Sequence, residues 1–421
     1  MNEFYRNRSI LITGSTGFIG KVLIEKLLHS FIEIKQIYLI IRGSKPNDRF
    51  KTSSMERFTK QVLGSPIFRL RNRNQTSTKI EGHQNDGDGI DRKIEFWQKK
   101  FTIIDGDLVR PRLGLNDEHY RILSDEISIV FHSAASVQFH GPLRTFLQQN
   151  VLGTKEIMDL CRNMKQLKVI VYVSTAYSNC NQSVIEERIY PLIDDDIDLL
   201  IEKILSDERS DTVLKHGDPL LMDRPNAYTL SKAIAECLIE QKYSDLPLVI
   251  CRPSIVAHSY HEPSPGWCDN YNGLAGPFLL SSLGVAQTMK IYCENRANII
   301  PVDFVVNAMI LIAYDRGELA ERNRIQKYFV RDGIQIPVVH LTLNESNDID
   351  WGQLIRLHQK ASKQNPSMKV FRPIASEAIS VSSWHEFFTN NQWKIKNENY
   401  LKILQRIPTD VQREFESDTR K

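Results

Sequence analysis

Tyr228 and Lys232 stand four residues apart in a stretch with helical apolar spacing, 228–242, so their side chains share one helix face. An ammonium beside a phenol favours the phenolate and lowers a pKa whose reference is about 10. That chemistry makes Tyr228 a proton donor usable near neutral pH. A Tyr-x-x-x-Lys match alone is cheap and arises by chance, so its weight depends on what precedes it. Upstream, Val173-Ser174-Thr175-Ala176-Tyr177 closes an apolar run. A hydroxyl there would polarise a substrate carbonyl as hydride arrives. Thr175 is preferred to Ser174: if Val173 packs into a sheet, Thr175 shares its face and Ser174 takes the other.

A hydride donor is suggested by the N-terminal residues. Ser9-Ile10-Leu11-Ile12 reads as a buried strand, and Thr13-Gly14-Ser15-Thr16-Gly17-Phe18-Ile19-Gly20 follows it and opens a helical pattern. Gly14 lets the strand turn sharply, Gly17 lets a pyrophosphate approach the backbone, and Gly20 permits close helix packing. The helix N-terminus adds free N–H groups and positive potential. Gly14, Thr16, Gly17, Phe18, Ile19 and Gly20 are therefore the expected dinucleotide cradle. The next apolar run, 37–41, ends in Arg42-Gly43-Ser44-Lys45 with no acid. Arg42 and Lys45 suit a 2′-phosphate, which favours NADPH over NADH. Asp107-Leu108 and Ser133-Ala134 follow later strands, where Asp107 can accept from an adenine amine and small residues let the backbone lie against the cofactor. Lys232 can also hydrogen-bond the nicotinamide ribose.

These residues need a scaffold that collects strand ends. Apolar runs at 9–12, 37–41, 101–104, 127–131, 168–173 and 246–251 alternate with helical patterns, notably 144–164 and 228–242. That alternation predicts an α/β fold, a Rossmann-type doubly wound parallel sheet. Its composition, 41% apolar and 25% charged with a net charge of +3, is that of a globular protein and demands no nucleic acid. The six cysteines form no C-x-x-C pair, which excludes a zinc ribbon and predicts buried reduced thiols. No metal site is expected; His258 and His261 read as loop residues. The polar N-terminus is not a signal peptide, and no long apolar run predicts a membrane span. The expected protein is intracellular. Residues 71–93 read as a mobile surface insertion, and the acidic run at 194–198 as a solvated helix end. Residues 1–335 read as the catalytic domain, 336–383 as a linker or shortened region, and 384–421 as a small helical C-terminal segment.

The pieces TGSTGFIG, FHSAA, VSTAY and YTLSK resemble an extended short-chain dehydrogenase/reductase. More specifically, Phe131–Val137, Asn150-Val151-Leu152-Gly153-Thr154, Val173–Cys180, Pro225-Asn226-Ala227-Tyr228, Arg252-Pro253-Ser254-Ile255-Val256, Glu262–Trp267 and Ile300-Pro301-Val302-Asp303 are similar to the alcohol-forming fatty acyl-CoA reductases, over roughly residues 5–335. The resemblance implies NADPH-dependent reduction of a long-chain acyl-CoA to a fatty alcohol through an aldehyde, in wax or ether-lipid precursor metabolism. Thr175, Tyr228 and Lys232 would be catalytic, and Pro253 and Ile255 would close over the nicotinamide. Residues 262–300 would belong to a substrate lobe, with Trp267, Leu274, Phe278, Leu279, Leu280, Leu283 and Val285 as candidate tunnel wall or structural core. It also implies a peroxisomal or endoplasmic-reticulum membrane surface, reached by peripheral contact. No oligomeric state follows.

Two departures stand against this pattern. A glycine-lysine-glycine turn and following arginine usual in the family are replaced by Ser281–Gln287, and the C-terminal domain looks shortened, without a closing hydrophobic segment. The alternatives they support are a non-catalytic NADP-binding scaffold or a reductase with another substrate.

Overall fold

A computed structural model describes residues 1–44, 52–68, 96–192, 196–286, 291–321, 336–343, 347–366 and 388–415. In chain order the strands are β1 (Ser9–Thr13), β2 (Gln36–Ile41), β3 (Phe101–Asp105), β4 (Ile127–His132), β5 (Val169–Val173), β6 (Val184–Ile185), β7 (Leu248–Pro253), β8 (Ile255–Ala257), β9 (Ile299–Pro301), β10 (Val338–Leu341) and β11 (Lys394–Ile395). Seven of them make one parallel sheet in the order β10-β7-β5-β4-β1-β2-β3. The order reverses between β1 and β4, where Thr13 pairs with His132. Crossovers leave that point in opposite directions, so a crevice opens at the carboxyl ends of these strands.

Strand alternation divides the core into two layers. Ile10, Ile12, Val169, Val171 and Val173 face one side, against α1 (Phe18–Ser30) and α5 (Val302–Glu321). Leu11, Ile170 and Tyr172 face the other, against α2 (Gly153–Arg162) and α3 (Ala227–Tyr243). Both faces are buried, which is why the strands read as continuous apolar runs. The α/β expectation holds, and all six expected strands are present.

The region past residue 335 departs from expectation. Val338–Leu341 is not linker but the edge strand β10, paired with β7. Its pattern was broken by His340, which is fully buried yet bonded to Arg252 and to the Lys396 carbonyl. Farther on, Asp350 and Gln353 form a reciprocal capping box that starts α6 (Trp351–Gln364). This helix packs on α4 (Ala275–Ser282), with the Phe278 and His358 rings stacked at 4.3 Å. The C-terminal residues return to the core. β11 pairs with β6, α7 (Glu398–Arg406) buries Tyr400, Ile403 and Leu404, and Phe415 stacks on Phe31 at 5.6 Å.

Of the cysteines, all reduced, Cys161, Cys180, Cys237 and Cys251 are buried as expected; Cys268 is half-buried and Cys293 exposed. Asp196 caps the helix Ile197–Ser206 and pairs with Lys242. The proposed insertion at 71–93, Lys45, and Asp194 and Asp195 lie outside the described residues. Among the described residues no helix is long and apolar enough to cross a membrane, and no cluster of three or more His, Cys, Asp or Glu side chains could hold a metal ion.

Candidate active site

A cleft of about 560 Å³ lies along the carboxyl ends of β1, β4, β5 and β7. Gly14, Thr16, Gly17, Phe18, Ile19, Gly20, Arg42, Asp107, Leu108, Ser133, Ala134, Thr175, Tyr228, Lys232, Pro253 and Ile255 all line it. Every described residue expected at the site is thus brought to one place. Gly14 has a φ of +75°, and a Cβ there would sit 2.8 Å from the Ala134 nitrogen, so glycine is required on both counts. Two polar atoms fit a group bound in this cradle: the Ser15 and Ser254 hydroxyls are buried without a hydrogen-bond partner, and both residues line the cleft.

The floor is held by a buried histidine. Thr154 Oγ1 donates to the Asn150 carbonyl, so it accepts from His132 Nε2 at 3.0 Å; His132 Nδ1 then accepts from Thr13 Oγ1 at 2.7 Å. This network assigns a neutral imidazole, and burial pushes its pKa down to about 3. Ser133 donates to the Thr13 carbonyl at 2.8 Å, and Ala134 N donates to Thr13 Oγ1 at 3.2 Å. The loop after β4 is therefore tied to the end of β1. Asn150 extends the tie: its amide exchanges bonds with Ser136 and reaches Ser231 on α3 at 2.9 Å.

The end of the cleft that holds Thr175, Tyr228 and Lys232 is built by β5 and α3. Asn226 caps α3 through Thr229 N at 3.0 Å, placing Tyr228 in the first turn. Lys232 Nζ donates to the Val173 carbonyl at 2.8 Å and to the Tyr172 hydroxyl at 3.4 Å. The Thr175 hydroxyl lies beside the Tyr228 phenol and draws its pKa down, whereas Ser174 donates to Glu236. The two hydroxyls weighed from sequence are thus separated: Thr175 meets the phenol and Ser174 meets a carboxylate.

The electrostatics differ from the sequence expectation. Burial pushes Tyr228 up to about 12, with Thr175 pulling the other way, and Lys232 is not what sets it. Lys232 itself is pushed down to about 7 by burial, while Glu236 raises it. The reason is geometric. The ammonium is spent on Val173 and Tyr172, and desolvation disfavours the charged form of each partner. Tyr228 is a fully protonated phenol at neutral pH, which is the state a proton donor needs.

Beyond Thr175, Tyr228 and Lys232 the wall turns aromatic. Phe139 stacks on Phe388 at 5.3 Å, and Tyr177 meets Phe388 edge-on at 5.1 Å. Leu274, Phe278 and Trp351 complete this end. The candidate tunnel wall therefore divides. Leu274 and Phe278 line the cleft; Trp267 is packed on Phe18 at 5.6 Å; Leu279, Leu280 and Val285 are exposed. Sequence reasoning missed Phe139, Tyr177, Trp351 and Phe388 as lining residues, and also Arg57. Arg57 Nη1 donates to the Arg42 carbonyl at 2.6 Å, and Arg42, Arg57 and Lys60 surround a side pocket with Ser44, Thr52 and Gln61. The capping box Ser53–Glu56 preceding Arg57 was the legible signal for the helix that carries it.

Comparison with known proteins places the chain. The NAD-binding family model described as male sterility protein matches residues 12–309. Fatty acyl-CoA reductase 1 of Xenopus laevis is 32% identical over 464 aligned residues, covering 99% of this chain and 82% of that protein. The Rattus norvegicus protein of the same name is 34% identical, covering 88% of this chain and 64% of its own length. Among solved structures, the terminal R domain from the myxalamid PKS-NRPS biosynthetic pathway superposes with a TM-score of 0.58 at 20% identity, covering 96% of this chain and 86% of that one. UDP-glucuronic acid 4-epimerase from Bacillus cereus superposes with a TM-score of 0.52 at 14% identity, covering 97% and 98%. These two share the fold. The glycine cradle, the strand order and the long sequence match together place this chain in the fatty acyl-CoA reductase family of NAD-binding oxidoreductases.

Proposed function

We propose that this chain reduces long-chain fatty acyl-CoA to fatty alcohol through an aldehyde, with NADPH as reductant. The observation that carries the proposal is the single cleft, which joins the glycine cradle, the Thr175–Tyr228–Lys232 cluster and an aromatic end. The cofactor preference is supported by the side pocket of Arg42, Arg57 and Lys60, whose lining contains no acid among the described residues. Two guanidinium groups and an ammonium match a 2′-phosphate, whereas a ribose hydroxyl would be met by a carboxylate.

Gly14–Gly20, Ser133, Ala134, Pro253 and Ile255 would hold the dinucleotide, and bound NADPH supplies the hydride. Thr175 orients the carbonyl oxygen and Tyr228 gives it a proton, from a phenol that burial keeps protonated. Lys232 holds the end of β5 through the Val173 carbonyl and would also hydrogen-bond the nicotinamide ribose. The product of the first addition is a hemithioacetal, which expels the coenzyme A thiol and leaves an aldehyde. A second hydride and a second proton convert the aldehyde to the alcohol. The aromatic end buries the acyl chain, whose transfer from water is favourable by ~0.8 kcal/mol per methylene.

The test is direct: incubate the purified chain with a long-chain acyl-CoA and NADPH, and analyse the lipid products. Fatty alcohol is expected, with aldehyde as the intermediate. Cofactor oxidation with neither product would overturn the proposal.

A further inference from the structure

Three residues on one face of α3 meet three successive residues at the end of β5. Tyr228 lies beside Thr175, Lys232 bonds the Val173 carbonyl, and Glu236 accepts from the Ser174 hydroxyl. The first two belong to the reacting cluster. The third, four residues farther along the same face, does not line the cleft and is 1% exposed.

Glu236 is held from behind by Arg252 of β7, which is itself 0% exposed. Nε donates to Glu236 Oε1 at 2.9 Å and Nη2 to Oε2 at 2.5 Å, a bidentate pair. Nη2 also donates to the Arg188 carbonyl at 2.9 Å, and Nη1 to the Glu186 carbonyl at 3.2 Å and to His340 Nε2 at 3.2 Å. Every N–H of the guanidinium therefore has an acceptor. His340 can accept there because its other nitrogen, Nδ1, donates to the Lys396 carbonyl at 2.5 Å. The carboxylate is clamped in one place, and a group clamped so completely can hold something else still.

We propose that Glu236, clamped by Arg252, is a positioning residue of the reductase: it anchors the Ser174 end of β5 and supplies the buried counter-charge opposite Lys232, so that Thr175, Tyr228 and Lys232 meet the substrate carbonyl in one arrangement. This rests on the reading of those three as the reacting groups. Fixing Ser174 turns the next residue, Thr175, to the opposite face, toward Tyr228. The counter-charge matters because Lys232 lies among groups that give it little else. Tyr228 and Glu236 face it from its own helix, Tyr172 from β5, and the neutral His132 from β4, with Arg252 of β7 on the far side of Glu236. Burial acts to strip the proton from Lys232, and Glu236 acts to keep it.

Ser174→Ala, Glu236→Gln and Tyr228→Phe test the proposal through kcat, both KM values, the pH profile of kcat and a thermal melt. Ser174→Ala keeps the ion pair and is expected to fold; its kcat should fall about 10-fold with KM for NADPH unchanged. Glu236→Gln should lower kcat and also move the alkaline limb to lower pH. The sign follows from Lys232, whose protonated form is present below its pKa; losing the counter-charge lowers that pKa, and the loss of activity comes earlier as pH rises. A wild-type kcat in Ser174→Ala overturns the proposal, as does a folded Glu236→Gln with an unmoved limb. If the glutamine variant leaves Arg252 unpaired and does not fold, Ser174→Ala alone decides. Tyr228→Phe separates the two levels. Full turnover there sinks the reading of the site itself, while an inactive Tyr228→Phe beside unaffected Ser174 and Glu236 variants sinks only the role of Glu236.

Discussion

The two ends of the cleft are built differently. The cofactor end is made of short contiguous motifs: Gly14–Gly20 from one strand–turn–helix, Arg42 from the end of β2, Ser133 and Ala134 from the end of β4. The end proposed to take the acyl chain is made of single aromatic residues from segments far apart in sequence, namely Phe139, Tyr177, Phe278, Trp351 and Phe388. A dinucleotide presents a fixed pattern of phosphates and hydroxyls, which backbone N–H groups and a few charges must match in register. An acyl chain presents only apolar surface, which any buried aromatic wall satisfies. One end is therefore constrained by local sequence and the other by packing alone.

Between them sits the Thr175–Tyr228 pair, and changing it should have the largest effect. Tyr228→Phe removes the proton donor and keeps the ring, so kcat should fall by ~10²–10⁴-fold while NADPH still binds; fluorescence titration with NADPH separates the two. The cofactor end comes next. Arg42→Ala and Arg57→Ala each remove a charged partner for a 2′-phosphate, a loss of roughly 1.5–3 kcal/mol. That is about 10–100-fold in kcat/KM with NADPH, and kcat/KM with NADH should be unchanged. Equal losses with both cofactors would show that these residues hold structure, not phosphate. The acyl end should respond more softly. Phe388→Ala opens the wall where Phe139 and Tyr177 meet, and removes a side chain worth roughly 1.5–3 kcal/mol of apolar burial. KM for a long-chain acyl-CoA should rise about 10-fold and KM for NADPH should stay. A shift confined to NADPH would break the division of the cleft into two ends.

The smallest effect concerns stability and touches both ends. His132 lies beneath the cofactor loop and His340 beneath the C-terminal segment, and burial pushes each from 6.5 down to about 3. Below pH 6.5 the unfolded chain takes up protons that the folded chain refuses. Their contribution is complete above pH 6.5 and is lost progressively as pH falls toward 3. Thermal melts across that range should show a falling Tm, with a shallower fall in His132→Gln. A Tm that rose as pH fell would contradict both neutral assignments.

The same contrast explains what was legible in the sequence. Six strands, the glycine cradle and the Tyr228–Lys232 spacing were readable because each is a local pattern with a physical period or a required glycine. The choice of Thr175 over Ser174 followed from strand alternation, and the two hydroxyls do point to different partners. The direction of the Tyr228 shift was not readable. It depends on how deeply the phenol is buried and on where Lys232 sends its protons, and both are tertiary facts. β10 was hidden because His340 interrupts its apolar run, and that histidine is tolerable only beside Arg252 and Lys396, remote in sequence. Phe388 was invisible as a cleft residue for a similar reason, since nothing near it in sequence says that it returns to Phe139 and Tyr177.

Under the proposed function, one cleft carries hydride from a nicotinamide to an acyl carbonyl and then to the aldehyde that results. The most direct measurement uses NADPH deuterated at the transferred position of C4, a long-chain acyl-CoA, and mass spectrometry of the alcohol. Deuterium at both positions of the alcohol's C1 is the predicted result. Alcohol without deuterium at C1, or unchanged acyl-CoA while NADPH is oxidised, would contradict it.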